Sequence, residues 1–528
     1  MTPRTVRDAT RELLRELGLT TVFGNPGTTE VPFLTDWPGD FRYVLGLQES
    51  VVVAMADGYA QTARKPVLVN LHSAGGVGHG LGSVFTAYRN NTPMVVIAGQ
   101  QNRSLLPGDP FLGATDAAEF PKPYVKWSCE PARAQDVPAA IERAFHIATQ
   151  APQGPTFVSV PADDWDVEMS TLVPARRRVP GFAADPDALR ELADALDASV
   201  RPGFVVGPGV DADFAVEDVV ALAERLKAGV WASPLSSRCS FPENHALFRG
   251  FLQPERGATA KALGEHDVVV VIGAPAFTYH VVRPETSYRL PPLFVVSDDE
   301  QILARAEGTG IRATPKLAIR QLLDVVSASD RRPPPALVRP SRPTETSPLS
   351  AAYVYAELSD SLPDNAIVVE EAPSHRNMLH DHLPISSPDS GFLTMASGSL
   401  GYGLPAAVGA AISRPDRKIV AVIGDGSSMY GIQALWTAAR EQLPVTFVIL
   451  DNAQYAAVRV LGDALGAGKL PGVELGGIDF GAVAGGLGCV TYRVETASEL
   501  KAALAASLVE DRPTLLHVVI DGDVPPSY

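Results

Sequence analysis

The stretch "KIVAVIGDGSSMYGIQALWTAAREQLPVTFVILDN", residues 418–452, contains two apolar runs separated by a helical pattern. Each run is continuous rather than alternating, which is typical of strands buried on both faces of a parallel sheet. A strand–helix–strand unit places the carboxyl ends of its two strands at the same sheet edge. Asp425 follows the first run, and Asp451 and Asn452 follow the second. We therefore expect these two turns to lie side by side.

Similar apolar runs throughout the chain predict the fold class. They include "PVLVNLHS", "PMVVIAGQ" and "TFVSV" early in the chain, "GFVVG", "DVVVVIG" and "LFVVS" in the middle, and "AIVVE" and "TLLHVVI" towards the end. Because the runs alternate with longer helical patterns, the sequence predicts an α/β protein with three open parallel sheets. Proline-containing connectors at 171–187 and 331–350 separate the three sets,. The predicted domains are residues 1–170, 184–330 and 345–528.

The composition excludes several classes of partner. A formal net charge of −16 would repel nucleic acids and anionic membranes,. The first 18 residues have the pattern of an amphipathic helix rather than a signal peptide, and no apolar run is long enough to span a membrane,. Cys129, Cys239 and Cys489 are too widely spaced for a disulfide framework or a zinc site,. We expect a cytoplasmic protein without nucleic-acid or membrane partners.

The turns after the two quoted runs have the side chains of a metal and phosphate site. Ligands of open parallel sheets bind outside the carboxyl ends of the strands. The carboxylate of Asp425, the amide oxygen of Asn452 and nearby carbonyls are hard ligands that suit Mg²⁺ with phosphate oxygens. Gly424 and Gly426 allow the backbone to approach a phosphate, and Ser427 adds donors at the start of a helix. The alternative is that Asp425 caps an ordinary helix.

The segment from Gly424 to Asn452 resembles the thiamine diphosphate motif, which opens with Gly-Asp-Gly and closes with Asn. The whole chain resembles the thiamine diphosphate-dependent 2-oxo acid decarboxylase and acetolactate synthase superfamily, and within it the benzoylformate decarboxylases. Stretches that carry the likeness include "TVFGNPGTTEVPFL", "FRYVLGLQESVVVAMADGYAQTARKP", "NLHSAGGVGHG", "VIGAPAFTYH" and "GSLGYGLPAAVGAAI". The resemblance implies a pyrimidine-binding first domain, a central domain without catalysis of its own and a diphosphate-binding third domain.

The resemblance also implies a cofactor site. Asp425, Asn452 and the backbone carbonyl of Gln454 would bind Mg²⁺, and Asp451 stands where the family usually has Asn. Thiamine diphosphate loses its C2 proton only with help from a base. Glu49 matches the family glutamate that hydrogen-bonds the pyrimidine ring, and an apolar setting would raise its pKa so that it can share that proton.

Two further residues of the cofactor site come from "GSLGYG". By resemblance, Leu400 is a wedge that forces the two cofactor rings together, and the carbonyl of Gly398 accepts from the pyrimidine amino group. Leu400 could equally be an ordinary core residue.

Residues around the substrate are implied in the same way. His72 and His280 stand where aryl-glyoxylate decarboxylases have histidines, a residue type suited to proton transfer at cytoplasmic pH. Thr28 replaces a serine that faces the substrate carboxylate, keeping its hydroxyl and adding a methyl group, and Pro373 is another departure near the pocket. The aligned pocket positions are all apolar and suit an aryl ring: Phe111, Leu112, Ala457, Val458 and Leu461.

These residues together imply decarboxylation of a small aryl 2-oxo acid, with benzoylformate as the expected substrate. The family implies a homodimer as the minimum catalytic unit and a dimer of dimers as the assembly. One alternative is an acetolactate-type carboligase or an acyloin lyase on the same cofactor. Another is a nucleotide-binding or regulatory protein, because "VVGPGVDAD" (205–213) resembles a dinucleotide turn, although it lacks the third glycine,.

Overall fold

Three sheets of six strands each form the framework of the computed structural model, which describes residues 4–170, 173–275, 277–280, 288–387 and 389–524. Neighbouring strands are parallel in every sheet. This confirms the predicted α/β fold with three open parallel sheets. Within the described residues, no helix is both long and apolar enough to cross a membrane.

The first sheet has the strand order β2-β1-β3-β4-β6-β5. Its strands are β1 (Thr21–Gly24), β2 (Arg42–Leu45), β3 (Val67–Leu71), β4 (Met94–Gln100), β5 (Ser128–Cys129) and β6 (Thr156–Pro161). The helices around it are α1 (Val6–Leu17), α2 (Val31–Leu34), α3 (Glu49–Ala63), α4 (Ser73–Arg89) and α5 (Val137–Thr149). Short 3₁₀ helices lie at Thr28–Glu30, Leu106–Gly108, Ala134–Asp136 and Ala162–Asp166.

The second sheet has the order β12-β11-β10-β7-β8-β9. Its strands are β7 (Pro202–Val206), β8 (Gly229–Ala232), β9 (Phe248–Phe251), β10 (Val268–Ile272), β11 (Leu293–Ser297) and β12 (Thr309–Arg312). Its helices are α6 (Pro186–Ala198), α7 (Pro208–Ala212), α8 (Val216–Leu226), α9 (Arg256–Leu263), α10 (Glu300–Leu303) and α11 (Pro315–Val325).

The third sheet has the order β14-β13-β15-β16-β18-β17. Its strands are β13 (Ile367–Glu371), β14 (Phe392–Leu393), β15 (Ile419–Gly424), β16 (Val445–Asp451), β17 (Val490–Val494) and β18 (Thr514–Val519). Its helices are α12 (Ala351–Ser361), α13 (Arg376–His382), α14 (Gly403–Ser413), α15 (Asp425–Ser428), α16 (Ala434–Arg440), α17 (Ala456–Ala464), α18 (Phe480–Gly486) and α19 (Ala497–Val509), with a 3₁₀ helix at Pro373–His375.

Burial explains why the longest apolar runs become central strands. All seven residues of β4 are buried, as are the first six of β16. The N-terminal helix also forms as predicted, because the side chains and backbone N–H groups of Thr5 and Asp8 pair in a capping box,. The connectors have no helix or strand over 173–185 and 331–346, and we propose the domain boundaries there.

The first and third sheets share one strand order, counted within each sheet as second, first, third, fourth, sixth, fifth. In such an order the second strand lies on one side of the first strand, and the third strand lies on its other side. Loops that leave the first and third strands diverge and open a crevice for ligands. The two crevices therefore lie at the ends of β1 and β3, and of β13 and β15.

Helices α3 and α14 join these two sheets in one core. Glycines permit their close approach, since a side chain at Gly58 would collide with the backbone of Ala406, and one at Gly409 with that of Met55. Asp57 of α3 is fully buried, and its Oδ2 accepts a hydrogen bond of 3.0 Å from Asn90. This burial raises the pKa of Asp57 to about 7,.

The glycine-rich turn of the second sheet packs tightly rather than leaving a phosphate-sized space. A Cβ atom at Gly207 would lie 2.5 Å from Cα of Ala274, and one at Gly209 would lie 3.0 Å from Cα of Gly273. These glycines are thus explained by the contact between the loops after β7 and β10, which weakens the nucleotide-binding interpretation of residues 205–213.

Candidate active site

A buried carboxylate, Glu30, organises the crevice of the first sheet. It ends the 3₁₀ helix that follows β1, whereas His72 follows β3 and precedes α4. Oε2 of Glu30 accepts from the backbone N–H of Gly27 at 2.8 Å and lies 2.9 Å from Nδ1 of His72. Oε1 accepts from the hydroxyl of Thr29 at 2.7 Å and the N–H of Gly99 at 2.9 Å. Four donors therefore surround one carboxylate.

This arrangement favours one tautomer of His72. A carboxylate accepts about four hydrogen bonds, so a proton on Glu30 would displace one of the donors around it. We infer that the N–H at Nδ1 of His72 donates a hydrogen bond to Oε2 of Glu30, with the hydroxyl of Thr29 also 3.0 Å from Nδ1. The other ring nitrogen, Nε2, is then the one available to take up or release a proton.

Glu30 is a residue that sequence reasoning missed. The signal was present, because a glutamate three residues after Gly27 has the spacing of a capping box,. Gly27 itself is required, since a side chain there would overlap the ring of His72. Thr28, the predicted carboxylate-binding residue, is exposed at the start of the same 3₁₀ helix.

The loop that carries Phe111 and Leu112 is tied to the start of α4. The hydroxyl of Ser73 donates to the carbonyl oxygen of Leu112 at 2.6 Å, and both residues have positive φ angles of 38° and 63°. The predicted pocket residues are thereby held next to His72. The side chain of Phe111 is nevertheless 88% exposed in the single chain.

Glu49 is the first residue of α3 and lies against α4. Its Oε2 is 3.2 Å from Nδ1 of His79, a residue that was not predicted to belong to the site. Glycines on α4 leave space for the carboxylate, since a Cβ at Gly76 would lie 3.1 Å from Oε1 of Glu49. Glu49 therefore packs against the first turns of α4, and His72 immediately precedes the same helix.

The predicted metal ligands converge at the third sheet. Strands β15 and β16 are paired in register up to Gly424 and Leu450, which confirms that their turns lie side by side. The backbone N–H of Gln454 lies between two oxygens, 3.2 Å from Oδ2 of Asp425 and 3.3 Å from Oδ1 of Asn452. One carboxylate oxygen and one amide oxygen therefore lie close together, within hydrogen-bond reach of the same backbone N–H.

This donor set fits Mg²⁺. Burial, with the negative charge of Asp451 beside it, raises the pKa of Asp425 to about 6, and a divalent cation there would compensate the buried charge. Asp451 is itself paired with Nε2 of His517 at 2.7 Å. Among the described residues no three His, Cys, Asp or Glu side chains cluster as a metal site, so a metal here would rely on amide and carbonyl oxygens as well.

Neighbours of the candidate ligands have packing roles too. A side chain at Gly426 would collide with the ring of Tyr455, so this glycine makes room for an aromatic residue. Ser427 is buried in the short helix α15, and the hydroxyl of Ser428 donates to the carbonyl of Asp425 at 2.7 Å. These contacts fix the turn on which the diphosphate would lie.

The other candidates of the third sheet lie in the loop before α14, after β13 and on α17. Gly398 has a positive φ of 76°, and Leu400 is half-buried against the core shared by the first and third sheets. Pro373 begins a 3₁₀ helix, and the next residue, Ser374, accepts a 3.0 Å hydrogen bond from the N–H of Ala457. This bond anchors α17, which also carries Val458 and Leu461.

His280 belongs to a different part of the chain. It follows the second sheet's β10, its side chain is exposed, and its backbone N–H donates to the carbonyl of Pro254 at 2.8 Å. In the described part of the chain, no hydrogen bond or ion pair joins the candidate residues of the first sheet to those of the third. The structure thus forms two separate groups of candidate residues in one chain.

Comparison with known proteins identifies relatives over the whole length. Three family profiles match: "Thiamine pyrophosphate enzyme, N-terminal TPP binding domain" over residues 4–120, "central domain" over 189–322 and "C-terminal TPP binding domain" over 372–518. The chain is 42% identical to benzoylformate decarboxylase of Pseudomonas aeruginosa over 523 residues, which cover 98% of each protein.

Solved structures give the same result. Benzoylformate decarboxylase of Polynucleobacter necessarius matches with a TM-score of 0.97 and 38% identity, over 99% of this chain and 100% of that one. The thiamine diphosphate-dependent 4-hydroxybenzoylformate decarboxylase of Rhodococcus jostii matches with a TM-score of 0.94 and 42% identity, over 98% and 100% of the two chains.

Proposed function

Because the chain belongs to the thiamine pyrophosphate enzyme family, and is therefore a thiamine diphosphate-dependent enzyme, we propose that it decarboxylates benzoylformate to benzaldehyde and carbon dioxide. The observation that carries this proposal is the pair of His72 and Glu30 beside an apolar loop tied down by Ser73. A proton-transferring histidine next to apolar side chains suits an aryl 2-oxo acid. The names of the relatives described above support the same substrate class.

When bound, thiamine diphosphate would supply a nucleophilic carbon and an electron sink for the decarboxylation of a 2-oxo acid. Asp425, Asn452 and the carbonyl of Gln454 would hold Mg²⁺ and, through it, the diphosphate. Gly426 and Ser427 would contact the diphosphate directly. Glu49, Gly398 and Leu400 would orient the pyrimidine ring.

The chain's own side chains would do the proton transfer. Nε2 of His72, once it has taken up a proton from solvent, would donate that proton to the developing alkoxide of the substrate, while the Nδ1 proton stays hydrogen-bonded to Glu30. His280 would exchange protons after carbon dioxide has left. Thr28 would orient the substrate carboxylate through its hydroxyl. The five apolar pocket residues named above would exclude water from this carboxylate, which disperses its charge as the bond breaks.

We also propose that two copies of the chain complete each site. The first-sheet group of one subunit would face the third-sheet group of its partner, giving a homodimer and, by pairing of dimers, a tetramer. The 88% exposure of Phe111 in the single chain supports this arrangement, since an apolar pocket residue needs a second surface to exclude water.

A substrate panel tests the proposal. Burial of the aryl ring should make kcat/KM for benzoylformate about 100-fold higher than for pyruvate in an aldehyde-coupled assay. Leu461→Ala should lower kcat/KM for benzoylformate without changing that for pyruvate. The matched control is Leu465→Ala, because Leu465 follows the same helix and is 76% exposed. A preference for pyruvate would refute the aryl pocket but not the cofactor assignment, and acetolactate as the main product would support the carboligase alternative.

A further inference from the structure

Glu371 ends β13 in the crevice of the third sheet and is fully buried. Both of its oxygens accept hydrogen bonds from backbone N–H groups, Oε1 from Gly401 and Oε2 from Gly403, each at 2.5 Å. The adjacent Glu370 is equally buried but binds elsewhere, since its Oε2 accepts from Arg376 at 2.6 Å and its Oε1 from the N–H of Ala372 at 2.5 Å. Two neighbouring glutamates thus have different hydrogen-bond partners.

The carboxylate of Glu371, at the end of β13, caps the N-terminus of α14. Helix α14 begins at Gly403, and its N-cap residue Tyr402 provides no side-chain hydrogen bond. A negative charge at this end of the helix also complements the helix dipole. Gly403 is required there, because a Cβ atom would lie 2.9 Å from Cβ of Glu371.

The opposite end of the same loop is attached to α4. The N–H of Ala396 donates to Oδ1 of Asn90 at 2.9 Å, and the hydroxyls of Ser397 and Thr86 are 2.9 Å apart. Residues 396–403 are therefore fastened at both ends. Gly398 and Leu400 lie between the two attachments.

We propose that Glu371 is a positioning residue that holds Leu400 and the carbonyl of Gly398 in the position required to bind the cofactor. The inference rests on the proposed function, because the roles of Leu400 and Gly398 belong to that proposal. Its basis is the pair of hydrogen bonds to Gly401 and Gly403, which connect the end of a rigid central strand to the loop.

Ionisation of Glu371 strengthens this attachment. Burial raises its pKa to about 8, while the N–H groups of Gly403 and Gly401 oppose the rise and Glu370 adds to it. The nearby titratable groups are Glu370, which pairs with Arg376, and Tyr402, whose pKa burial raises well above its usual value. The hold on the loop should therefore increase as the pH rises through about 8.

Cofactor titration tests the inference directly. Thiamine diphosphate is titrated by calorimetry into the cofactor-free full-length protein with excess Mg²⁺. Loss of a charged acceptor in Glu371→Gln should weaken binding about tenfold at pH 9, and by less at pH 6.5. Glu370→Gln is the matched control, because it removes a buried carboxylate from the same strand, and should bind within about twofold of wild type. Unfolding midpoints of both variants show whether they are comparably folded.

A double-mutant cycle identifies the route of the effect. If Glu371 acts through the loop, Leu400→Ala should weaken cofactor binding in the wild-type background but much less in Glu371→Gln. Glu371→Asp, which is too short to reach both N–H groups, provides a second variant with the same expectation if Glu371→Gln does not fold. Unchanged affinity, an equal loss in Glu370→Gln, or additive effects would overturn the inference. Failure of the wild type to bind the cofactor would instead refute the proposed function.

Discussion

Nδ1 of His72 lies 2.9 Å from Oε2 of Glu30, and this contact joins the two loops that diverge at the switch point of the first sheet. The remaining lone pairs of Glu30 are occupied by three donors from Gly27, Thr29 and Gly99. These donors hold the carboxylate in one position, so it orients the ring of His72 and leaves Nε2 available for proton transfer.

Replacement of Glu30 by Gln should impair turnover more than binding. In either orientation the amide places its NH₂ group against at least one N–H donor, so the set of hydrogen bonds that orients His72 is disrupted. We expect kcat to fall about 100-fold, with a smaller change in KM, when benzoylformate turnover is measured. Thr29→Val removes a hydroxyl that lies near both Glu30 and His72 but leaves their direct contact in place, so it should lose less. Equal kcat values for Glu30→Gln and wild type would show that the pair has no role in proton transfer.

Asp425→Ala should abolish the binding of Mg²⁺ and thiamine diphosphate together. The substitution removes the one carboxylate from the predicted ligand set, and the remaining amide and carbonyl oxygens are neutral. Calorimetric titration of the cofactor with Mg²⁺ measures the loss, and circular dichroism checks that the fold is retained. Asp451→Asn, which restores the residue usual in the family, should still bind. Saturation of Asp425→Ala at limiting cofactor would refute the metal assignment.

Much of the fold was predictable because central strands have a strong sequence signal. The runs that form β4, β10, β15 and β16 are continuous and apolar, and each becomes a buried central strand. Peripheral strands gave little signal. Strand β5 has only two residues, and β17 lies at a sheet edge where four of its five residues are incompletely buried. Their position depends on tertiary contacts rather than local pattern.

The candidate site was predictable where one short motif contains the chemistry, as in the turns of Asp425 and Asn452. Glu371 could not be found in this way, and the capping-box spacing of Glu30 does not reveal its contact with His72. The donors around Glu30 include Gly99, far away in sequence, and Glu371 binds a loop 30 residues further on. Such contacts depend on the strand order, which brings together loops that the sequence separates.

Glu49→Gln should separate cofactor binding from cofactor activation. The amide keeps the shape and a hydrogen bond at the start of α3, so the cofactor should still bind with nearly unchanged affinity. The carboxylate that shares a proton is lost, and hydrogen–deuterium exchange at C2 of the bound cofactor should slow at least about 100-fold. Exchange is measured by NMR after rapid acid quench. His79→Ala, which removes the exposed neighbour of Glu49, should retain exchange within a few-fold of wild type. Wild-type exchange in Glu49→Gln would rule out this role.

Asp57→Asn should stabilise the chain at alkaline pH and have less effect at pH 5. Burial raises the pKa of Asp57 to about 7, against 3.8 for an exposed carboxyl. Between these values the folded chain retains a proton that the unfolded chain has released, so the wild-type free energy of unfolding falls as the pH rises. Asparagine does not titrate, so the variant lacks this loss of unfolding free energy, which reaches about 4 kcal/mol in the wild type above pH 7. Unfolding midpoints at pH 5 and 8 measure the difference.

Asp324→Asn, at an exposed carboxylate of α11, is the control and should show the same small shift at both pH values. An equal shift at both pH values in Asp57→Asn would mean that Asp57 is ionised within the core.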